Sequence, residues 1–289
     1  MSHSVHVRFV TCTKYPEGDP ETSDLAALLN ARGVLCDVQP WNADVDWCDA
    51  QLCVIRSAWD YHRHLNRFLD WADQTSACTE LRNPVDLVRW NTHKGYLLDL
   101  QRRGVAIIPT QVVKKGERQR IADVIHAFAR DTVVKPAVSL DGEGMHRLEC
   151  AGVLDDAVLH LVDEADVLVQ PYVESIADEG ELSAVFIAGD FAHAVRKSAA
   201  PGEFRVQERY GGRTEVTAIE PAFLALARRV MASIAHTPLY ARVDMVRWNG
   251  EPCLGELELI EPSLYLRAAP ASRKTFLEAI ESVLAGNRF

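Results

Sequence analysis

Three carboxylates and an arginine near the C-terminus have the spacing of a metal site. Arg242 and Asp244 are two residues apart in one apolar segment, and Glu256 and Glu258 are two residues apart in the next. Residues two apart share a face of a strand, and the Asn-Gly pair at 249–250 favours a tight hairpin turn. Carboxylates brought together in this way repel one another unless a cation such as Mg²⁺ neutralises them. The alternative is a solvated polar face, although the leucines of the second segment indicate burial.

Two lysines and a glycine loop have the character of a phosphate site. Lys135 lies in the apolar segment 132–136, directly before the loop 139–144 with its two glycines. Backbone N–H groups of glycine approach phosphate oxygens closely, and a lysine at such a strand end can meet the same oxygens. Lys94 shares a predicted helical face with Leu97 and Leu98. Each lysine also fits a snorkelling side chain, so both alternatives stay open at this point.

Two common nucleotide-binding motifs are missing from the sequence. No G-x-x-x-x-G-K-[ST] segment occurs, and the G-x-G of the loop does not open a helix within a βαβ unit. Nucleotide binding of the P-loop or Rossmann type is therefore excluded.

The elements that must position these residues alternate between strands and helices in three blocks. Residues 1–84 predict a β-α-β-β-α unit that resembles half of a doubly wound sheet. Residues 85–165 predict a helix over 86–104, two strands around a second helix, the glycine loop and a short helix. Residues 166–289 begin with an apolar strand and continue as hairpins mixed with helices. The predicted fold class is therefore α/β in the first block and α+β in the other two.

Composition and charge restrict the class of protein further. The 289 residues include 31 basic and 41 acidic side chains, which gives a net charge of −10, and 48% of the residues are hydrophobic. The excess of acid argues against a nucleic-acid partner. No apolar run reaches the roughly 18 residues of a membrane span, so no membrane partner is expected either. The length suits one enzyme of two or three subdomains.

The cysteines and the first residues indicate a cytoplasmic protein. The seven cysteines are odd in number, none forms a C-x-x-C pair, and most lie in apolar segments. Buried free thiols are the expected state of such residues. The first segment lacks the charged and apolar regions of a signal peptide. His62 and His64 have no third ligand at zinc spacing, so we interpret them as surface residues.

In their order along the chain, these motifs resemble the ATP-grasp superfamily. The resemblance covers roughly residues 84–262 and is greatest to the branch of glutathione synthetase and D-alanine–D-alanine ligase. The motifs that carry it are Lys94, Lys135 with its glycine loop, Gln170-Pro-Tyr-Val173, Glu181, Arg205-Val-Gln207 followed by a glycine pair, Arg242-Val-Asp244 and Glu256-Leu-Glu258. The resemblance implies a three-subdomain ATP-grasp architecture, in which two α+β subdomains clamp ATP.

For the nucleotide, the resemblance implies three groups of contacts. The two lysines would hold the α- and β-phosphates, and the loop 139–144 would close over the triphosphate as a lid. Backbone groups of a hinge would bind adenine, and a glutamate would bind the ribose hydroxyls. The ATP-binding residues so implied are Lys94, Lys135, Ser139, Gly142, Gly144, Gln170, Pro171, Tyr172, Val173 and Glu181.

For the chemistry, the resemblance implies a metal site and two catalytic arginines. Asp244, Glu256 and Glu258 would carry Mg²⁺, while Arg205 and Arg242 would steady the transferring phosphoryl group and the acyl phosphate. The last metal position is commonly Asn in this branch, whereas this sequence has Glu258. Metal binding is expected to survive this departure, but the substrate side must differ.

The first block contains the main candidates for substrate recognition. Arg56 and Asp60 lie where a predicted strand end meets a loop, on the side that such sheets use for ligands. Arg56 would pair with a substrate carboxylate and Asp60 with a substrate ammonium. The alternative is a structural Arg56–Asp60 pair, with Trp59 and Tyr61 in the core. Ser263, shortly after the predicted metal site, is a further candidate.

The expected reaction is ATP-dependent C–N bond formation through an acyl phosphate. Arg56-Ser-x-Trp-Asp60, Asn83-Pro and the Glu-x-Glu-x-Ile-Glu-Pro-Ser263 segment resemble a small subgroup of ATP-grasp cyclo-ligases from antibiotic biosynthesis. We therefore expect ATP and Mg²⁺ as cofactors and a small amino-acid-like substrate that closes onto its own nitrogen. The alternatives are an intermolecular carboxylate–amine ligase and a non-catalytic ATP-binding regulator. A homodimer is one expected assembly.

Overall fold

The computed structural model describes residues 5–150 and 154–287 as alternating helices and strands. The strands are β1 (Val5–Thr11), β2 (Cys36–Pro40), β3 (Ala50–Ser57), β4 (Glu80–Arg82), β5 (Gln111–Val113), β6 (Thr132–Pro136), β7 (His146–Leu148), β8 (Val167–Pro171), β9 (Glu181–Ile187), β10 (Asp190–Ser198), β11 (Arg213–Thr217), β12 (Tyr240–Trp248) and β13 (Glu251–Glu258). The α-helices are α1 (Pro20–Ala31), α2 (Leu65–Ser76), α3 (Val85–Asn91), α4 (Tyr96–Arg102), α5 (Arg118–Phe128), α6 (Asp156–Glu164), α7 (Ser175–Glu179), α8 (Pro221–Ala232) and α9 (Pro270–Leu284).

The N-terminal sheet is parallel, with the strand order β2-β1-β3-β4. Parallel neighbours need crossover connections. Helix α1 connects β1 to β2, and α2 connects β3 to β4. Asp19 caps the N-terminus of α1, where its side chain accepts a hydrogen bond from the backbone N–H of Glu21, and Pro20 occupies the first helical turn. The predicted β-α-β-β-α unit is therefore confirmed, with one further short strand, β4.

The central sheet is antiparallel, with the strand order β5-β8-β6-β7. Strand β8 pairs with both β5 and β6, although the sequence pattern placed it at the start of the C-terminal block. Its five residues are all buried, so the apolar pattern did not distinguish one sheet from the other. The central sheet thus extends past residue 165 to Pro171.

The C-terminal sheet is antiparallel, with the strand order β11-β10-β9-β12-β13. The predicted hairpin is confirmed: β12 and β13 pair in antiparallel register. Asn249 and Gly250 between them have φ values of 51° and 86°. These left-handed conformations are the ones that a two-residue hairpin turn requires.

The predicted helix over 86–104 is wrong in one respect that affects the site. The chain forms two short helices, α3 and α4, and Lys94 lies in the turn between them and not on a helical face. The backbone N–H of Lys94 donates to the carbonyl of Ala137, 2.8 Å away. This contact fixes Lys94 beside the strand end that carries Lys135.

Side chains from the segment 83–96 cover the outer edge of β13. Asn91 donates to the carbonyl of Leu257 and accepts from the N–H of Leu259, both at 2.8 Å. The hydroxyl of Tyr96 both accepts from the N–H of Leu257 and donates to its carbonyl, at 2.8 Å. Asn83 Nδ2 donates to the carbonyl of Leu259, directly after β13, at 2.7 Å. Polar side chains therefore pair with edge groups that would otherwise be open to another strand.

One disulfide corrects the expectation of free thiols. Cys48 is bonded to Cys78, which links the segment before β3 to the segment before β4. The spacing of the cysteines gave no sign of this pairing, because the residues are 30 positions apart and become neighbours only in the folded domain. Cys12, Cys36, Cys53, Cys150 and Cys253 are free thiols. Across residues 5–150 and 154–287, none of the helices is long and apolar enough to cross a membrane.

Candidate active site

The hairpin of β12 and β13 brings the predicted acidic residues and the arginine together. Arg242 is the register partner of Glu258, and Asp244 is the register partner of Glu256. All four side chains lie on one face, as the two-residue spacing predicted. Arg242 and Asp244 are buried, while Glu256 and Glu258 are partly exposed.

Asp244 is the most heavily paired carboxylate of this group. Its oxygens accept from Arg242 Nε at 2.9 Å, Lys197 Nζ at 2.9 Å and Ser183 Oγ at 2.6 Å. Burial alone would raise the pKa of Asp244, but the charges of Arg242 and Lys197 outweigh it and hold that pKa well below its usual range. Asp244 is therefore an anion in the folded protein.

Lys197 belongs to the site, although the sequence analysis did not select it. Its Nζ pairs with both Glu181 and Asp244, and the residue is 5% exposed. Burial opposes the charge, but the two carboxylates raise the pKa of Lys197 far above its ordinary value. The signal was available in the alternation of β10, which places Lys197 in register with Glu181 on β9.

Lys94 connects the glycine loop 139–144 to the hairpin of β12 and β13, here called the carboxylate hairpin. Its Nζ donates to the backbone carbonyl of Ser139 at 2.5 Å and lies 3.3 Å from Glu256 Oε1. Lys135, which is 8% exposed, lies close enough to feel the charges of both Glu256 and Lys94. Burial lowers the pKa of Lys135, and Glu256 partly offsets that effect. Both lysines are thus held on the face that carries the carboxylates.

Glu258 and the other carboxylates have the oxygen donors that a hard divalent cation prefers. Burial raises the pKa of Glu258 to about 7, although the pairing with Arg242 acts in the opposite direction. Among the described residues, no three acidic, histidine or cysteine side chains are grouped closely enough to form a ready metal site. Each carboxylate is paired with a lysine or arginine. The donor set fits a cation such as Mg²⁺, which would replace some of these pairings.

The glycine loop, here called the lid (residues 139–144), packs against the segment 205–210. Arg209 Nη1 lies 3.1 Å from Asp141 Oδ2. A side chain at Gly142 would approach Gln207 Oε1 to 3.3 Å, and one at Gly144 would approach Pro136 Cγ to 2.9 Å. Both glycines have φ of 71°, which favours glycine. The lid therefore needs both glycines for its close fit.

The lid also contacts the N-terminal domain, through Glu143. Glu143 Oε2 lies 3.2 Å from His62 Nε2, and Glu143 Oε1 lies 3.0 Å from Arg63 Nη2. The interpretation of His62 as a surface residue is therefore wrong: its side chain is 11% exposed. His64 is exposed. The two histidines differ because only His62 points toward the lid in the short 3₁₀ turn at Tyr61–His64.

The residues predicted as the adenine hinge lie at the end of β8. Gln170 donates to Thr110 Oγ1 at 2.8 Å, and the N–H of Tyr172 donates to the carbonyl of Asp131 at 2.8 Å. The guanidinium of Arg147 stacks on the Tyr172 ring, 3.8 Å from its centroid. Pro171 and Gln170 pair with β6, which ties the hinge to the strand of Lys135.

Arg205 lies beside the lid and not next to the carboxylate hairpin. It pairs with Glu203, Nη2 to Oε2 2.7 Å, and stacks 3.5 Å from the centroid of Tyr210. Its Cδ is 3.5 Å from where a side chain at Gly142 would begin. A role for Arg205 in phosphoryl transfer stays a prediction.

The first-block candidates are placed differently from the predicted substrate contacts. Arg56 is buried and pairs with Glu21, Nη2 to Oε1 2.8 Å, while its guanidinium lies over the rings of Tyr240 and Phe276. Asp60 accepts from Trp41 Nε1 at 2.7 Å. The alternative of a structural Arg56–Asp60 pair is therefore wrong, because Arg56 pairs with Glu21 and Asp60 pairs with Trp41. Nε and Nη1 of Arg56 are buried and have no hydrogen-bond partner within the described part of the chain, so a contact of Arg56 with the substrate stays a prediction.

The segment after β13 lies against the site. The carbonyl of Ser263 accepts from Arg242 Nη1 at 3.1 Å. Tyr265 has φ of 56°, a rare conformation for a bulky residue, and its ring lies 5.8 Å from the guanidinium of Arg242. Glu261 is 4% exposed, and its Oε2 has no hydrogen-bond partner within the described part of the chain. Burial raises the pKa of Glu261 well above its ordinary value.

Two protein families match consecutive parts of the chain. Residues 7–83 match the family described as D-cycloserine synthetase DcsG, N-terminal domain. Residues 100–247 match the family described as prokaryotic glutathione synthetase, ATP-grasp domain. The second match covers the lid, the hinge and all of β12 except Trp248.

Individual relatives agree with these matches. The cycloserine biosynthesis protein DcsG of Streptomyces lavendulae is 33% identical over 282 residues, which cover 90% of this chain and 94% of the relative. A crystal structure of D-cycloserine synthetase DcsG superposes with a TM-score of 0.85 at 29% identity, covering 96% of this chain and 99% of the other. D-alanine–D-alanine ligase of Bacillus anthracis superposes with a TM-score of 0.67 at 14% identity over 98% of each chain, which shows a shared fold.

Proposed function

The chain belongs to the ATP-grasp family of ATP-dependent C–N ligases, and from that membership we propose that it forms D-cycloserine. The proposed substrate is O-ureido-D-serine, whose carboxylate is activated by ATP and then closes onto the substrate's own nitrogen. The match of the N-terminal domain and the identity over nine-tenths of the chain support this choice among the ATP-grasp reactions.

One observation of the structure supports ATP-dependent activation above all. Lys94 contacts the lid at Ser139 and the carboxylate hairpin at Glu256 with the same ammonium group. The lid, the lysines and the acidic hairpin therefore surround one centre. Phosphoryl transfer requires this combination of positive charge, positioning and closure, since the protein does little covalent chemistry itself.

In the proposed reaction, the substrate carboxylate attacks the γ-phosphorus of ATP and releases ADP. Lys94, Lys135 and Lys197 offset the charge of the phosphates, and Arg242 steadies the acyl phosphate that forms. We propose that the bound divalent cation is Mg²⁺, held by Asp244, Glu256 and Glu258, and that it neutralises charge on the transferring phosphoryl group. ATP-grasp enzymes generally use a divalent cation together with ATP.

Ring closure then needs only one small molecule in the site. The nitrogen attacks the acyl carbon and loses its proton, and the C–O bond to phosphate breaks. One water then cleaves the N–carbamoyl bond of the ring product, which leaves D-cycloserine and carbamic acid, and the carbamic acid decomposes to CO₂ and NH₃. A tethered nucleophile reaches an effective concentration of roughly 10⁵ M when its geometry is good. The lid serves this step by excluding water, which would otherwise hydrolyse the acyl phosphate.

The experiment is a product analysis of the purified protein. The protein is incubated with ATP, Mg²⁺ and O-ureido-D-serine, and the products are followed by mass spectrometry and by a coupled assay for ADP. We expect one ADP for each D-cycloserine formed, with no dependence on added amine. Robust ADP release with a different acid and amine pair, together with no D-cycloserine, would contradict the ring closure and favour an intermolecular ligase.

We also propose that the enzyme is cytoplasmic, that its substrate is a small molecule and that it forms a homodimer. The requirement for ATP supports a cytoplasmic enzyme with a small-molecule substrate, although disulfides such as Cys48–Cys78 are uncommon in that compartment. Size-exclusion chromatography with light scattering would test the proposed homodimer.

A further inference from the structure

A histidine at the junction between the lid and the N-terminal domain has the environment of a proton acceptor. Desolvation raises the pKa of Glu143, but the hydrogen bonds and charges of Arg63 and His62 together outweigh it and lower that pKa, so Glu143 is ionised. A carboxylate only accepts hydrogen bonds. His62 Nε2, 3.2 Å from Glu143 Oε2, must therefore carry the proton of this contact.

This hydrogen bond leaves the other ring nitrogen of His62 with its lone pair. Nδ1 of His62 is buried and has no hydrogen-bond partner in the described ranges 5–150 and 154–287. A buried polar atom without a partner carries a desolvation cost, and in a native protein it calls for an explanation such as a catalytic role. The orientation of the ring is fixed on one side by Glu143 and on the other by Tyr61, whose ring meets it edge-on at 6.2 Å.

The lid connects His62 to the residues of the proposed phosphate site. Its partner Glu143 belongs to the lid, and the lid carbonyl of Ser139 accepts from Lys94 Nζ, which also lies 3.3 Å from Glu256 Oε1. The ion pair of His62 is with Glu143, which is not one of the proposed metal ligands.

We propose that His62 is the general base of ring closure and that Glu143, held by Arg63, is the residue that positions it. This inference rests on the proposed function. As the substrate nitrogen attacks the acyl carbon, the N–C bond forms and the N–H proton passes to Nδ1 of His62. The C–O bond to phosphate breaks at the same carbon, and phosphate leaves with the electron pair. His62 becomes an imidazolium that Glu143 stabilises through Nε2–H.

The protonation state of His62 agrees with this role. Burial lowers its pKa, with Glu143 acting against that effect and Arg63 and Lys94 acting with it. The imidazole is therefore neutral and able to accept a proton at pH 7. The arrangement follows the general pattern in which a carboxylate orients a histidine base.

The test separates activation from ring closure. Each variant is given ATP, Mg²⁺ and O-ureido-D-serine, with and without hydroxylamine, which traps acyl phosphates as hydroxamates without help from a base. For His62→Gln we expect D-cycloserine formation to fall by roughly 10²–10⁴-fold. Hydroxamate formation should remain close to that of the wild type, and this activity also shows that the variant is folded and binds ATP. His64→Gln, an exposed residue of the same turn, is the matched control and should behave like the wild type.

The outcomes distinguish this inference from the proposed function. If His62→Gln forms D-cycloserine at the wild-type rate, or loses hydroxamate and ring to the same extent, His62 is not the base. If the wild type releases ADP but forms no D-cycloserine, the proposed function fails, and the role of His62 in ring closure fails with it.

A pH profile adds a measurement that a purely structural role would not move. Ring closure by the wild type should decline as pH falls through the pKa of His62. Glu143→Gln removes the negative charge that favours the imidazolium, so the declining limb should shift to lower pH. If ring closure by Glu143→Gln declines at the same pH as in the wild type, the coupling between His62 and Glu143 is contradicted.

Discussion

The charged side chains at the centre of the site compensate one another's charge. Arg242 and Lys197 share Asp244, while Lys94 and Lys135 both act on Glu256. The cations that would bind phosphate are paired with the anions that would bind metal. Binding of a metal–nucleotide pair therefore exchanges one set of ion pairs for another and exposes no net buried charge.

Removing one carboxylate from this group should stop the reaction. We expect Glu256→Gln to lower ADP release by about 10²-fold or more at saturating Mg²⁺, since one charge-stabilising contact in a reaction centre is commonly worth that factor. Circular dichroism should show an unchanged fold. Glu251→Gln, at the exposed start of the same strand, is the control. Wild-type turnover in Glu256→Gln would remove Glu256 from the proposed metal site.

Lys135 should affect both binding and turnover. We expect Lys135→Ala to raise the KM for ATP about tenfold or more and to lower kcat, because a charge-assisted contact contributes about 1.5–3 kcal/mol. Lys135→Arg should restore only part of the activity, since a planar guanidinium does not replace a compact ammonium. The exposed Lys114→Ala is the control in steady-state kinetics. Unchanged ATP kinetics in Lys135→Ala would return Lys135 to the role of a snorkelling lysine.

For single residues, the sequence predicted which charged side chains share a strand face. It did not predict the pairing partners of residues that are far apart in the chain. Arg242, Asp244, Glu256 and Glu258 lie together because strand period and an Asn-Gly turn determine which residues share a face. The pairing of Arg56 with Glu21 was not predicted, because the two residues are 35 positions apart and no local pattern connects them. His62 was interpreted as exposed for the same reason, since Glu143 comes from a different domain.

Among the elements, strands were predicted more accurately than the connections between them. The segment 132–136, which was predicted as a strand end carrying Lys135, is β6 with the same bounds. The helix over 86–104 was predicted as one piece because the apolar spacing of Trp90 and Leu97 continues across the break. The break follows from tertiary contacts: the Lys94 N–H bonds to Ala137, and Tyr96 bonds to Leu257. Helical periodicity contains no information about such contacts.

The edge contacts of β13 should contribute measurably to stability. We expect Asn91→Ala to lower the free energy of unfolding by about 1–3 kcal/mol, because the carbonyl and N–H that it pairs would be left buried and unsatisfied. Thermal unfolding followed by circular dichroism measures this as a lower Tm. Asn66→Ala, an exposed position in α2, should leave Tm unchanged. Equal Tm values for the two variants would mean that water replaces Asn91 at the edge.

For the molecule as a whole, the buried carboxyl of Glu261 should make stability depend on pH. Burial raises its pKa well above the ordinary value, so the group is protonated in the folded protein over a range where it is ionised after unfolding. The protonated carboxyl contributes its full stabilisation to the free energy of unfolding below the pKa that it has in the unfolded chain, near 4.3 in peptides. That contribution is lost as the pH rises through the pKa that the group has in the folded protein. The stabilisation is therefore present in acid and absent in alkali.

Replacing Glu261 by its neutral isostere should remove this dependence. We expect Glu261→Gln to have a higher Tm than the wild type at pH 8, by about 2–4 °C for each kcal/mol, with the difference vanishing near pH 4.5. Differential scanning calorimetry across this range measures it. A Tm difference that is independent of pH would show that Glu261 is ionised in the folded protein.

The hydrogen bonds from Asn91 and Tyr96 to β13 limit how this enzyme can be recombined with its relatives. The match to the N-terminal domain family ends at residue 83, and a chimera would naturally be joined there. The segment after that point, however, supplies the pairing partner of a strand that belongs to the C-terminal sheet. If the N-terminal domain of a relative is grafted at residue 84, the chimera must therefore keep the native segment 85–96. Otherwise the relative's version of this segment must be transferred together with the relative's own equivalent of β13. The part of the chain that can be exchanged is therefore determined by the hydrogen bonds between this segment and β13, and not by the last strand of the N-terminal sheet.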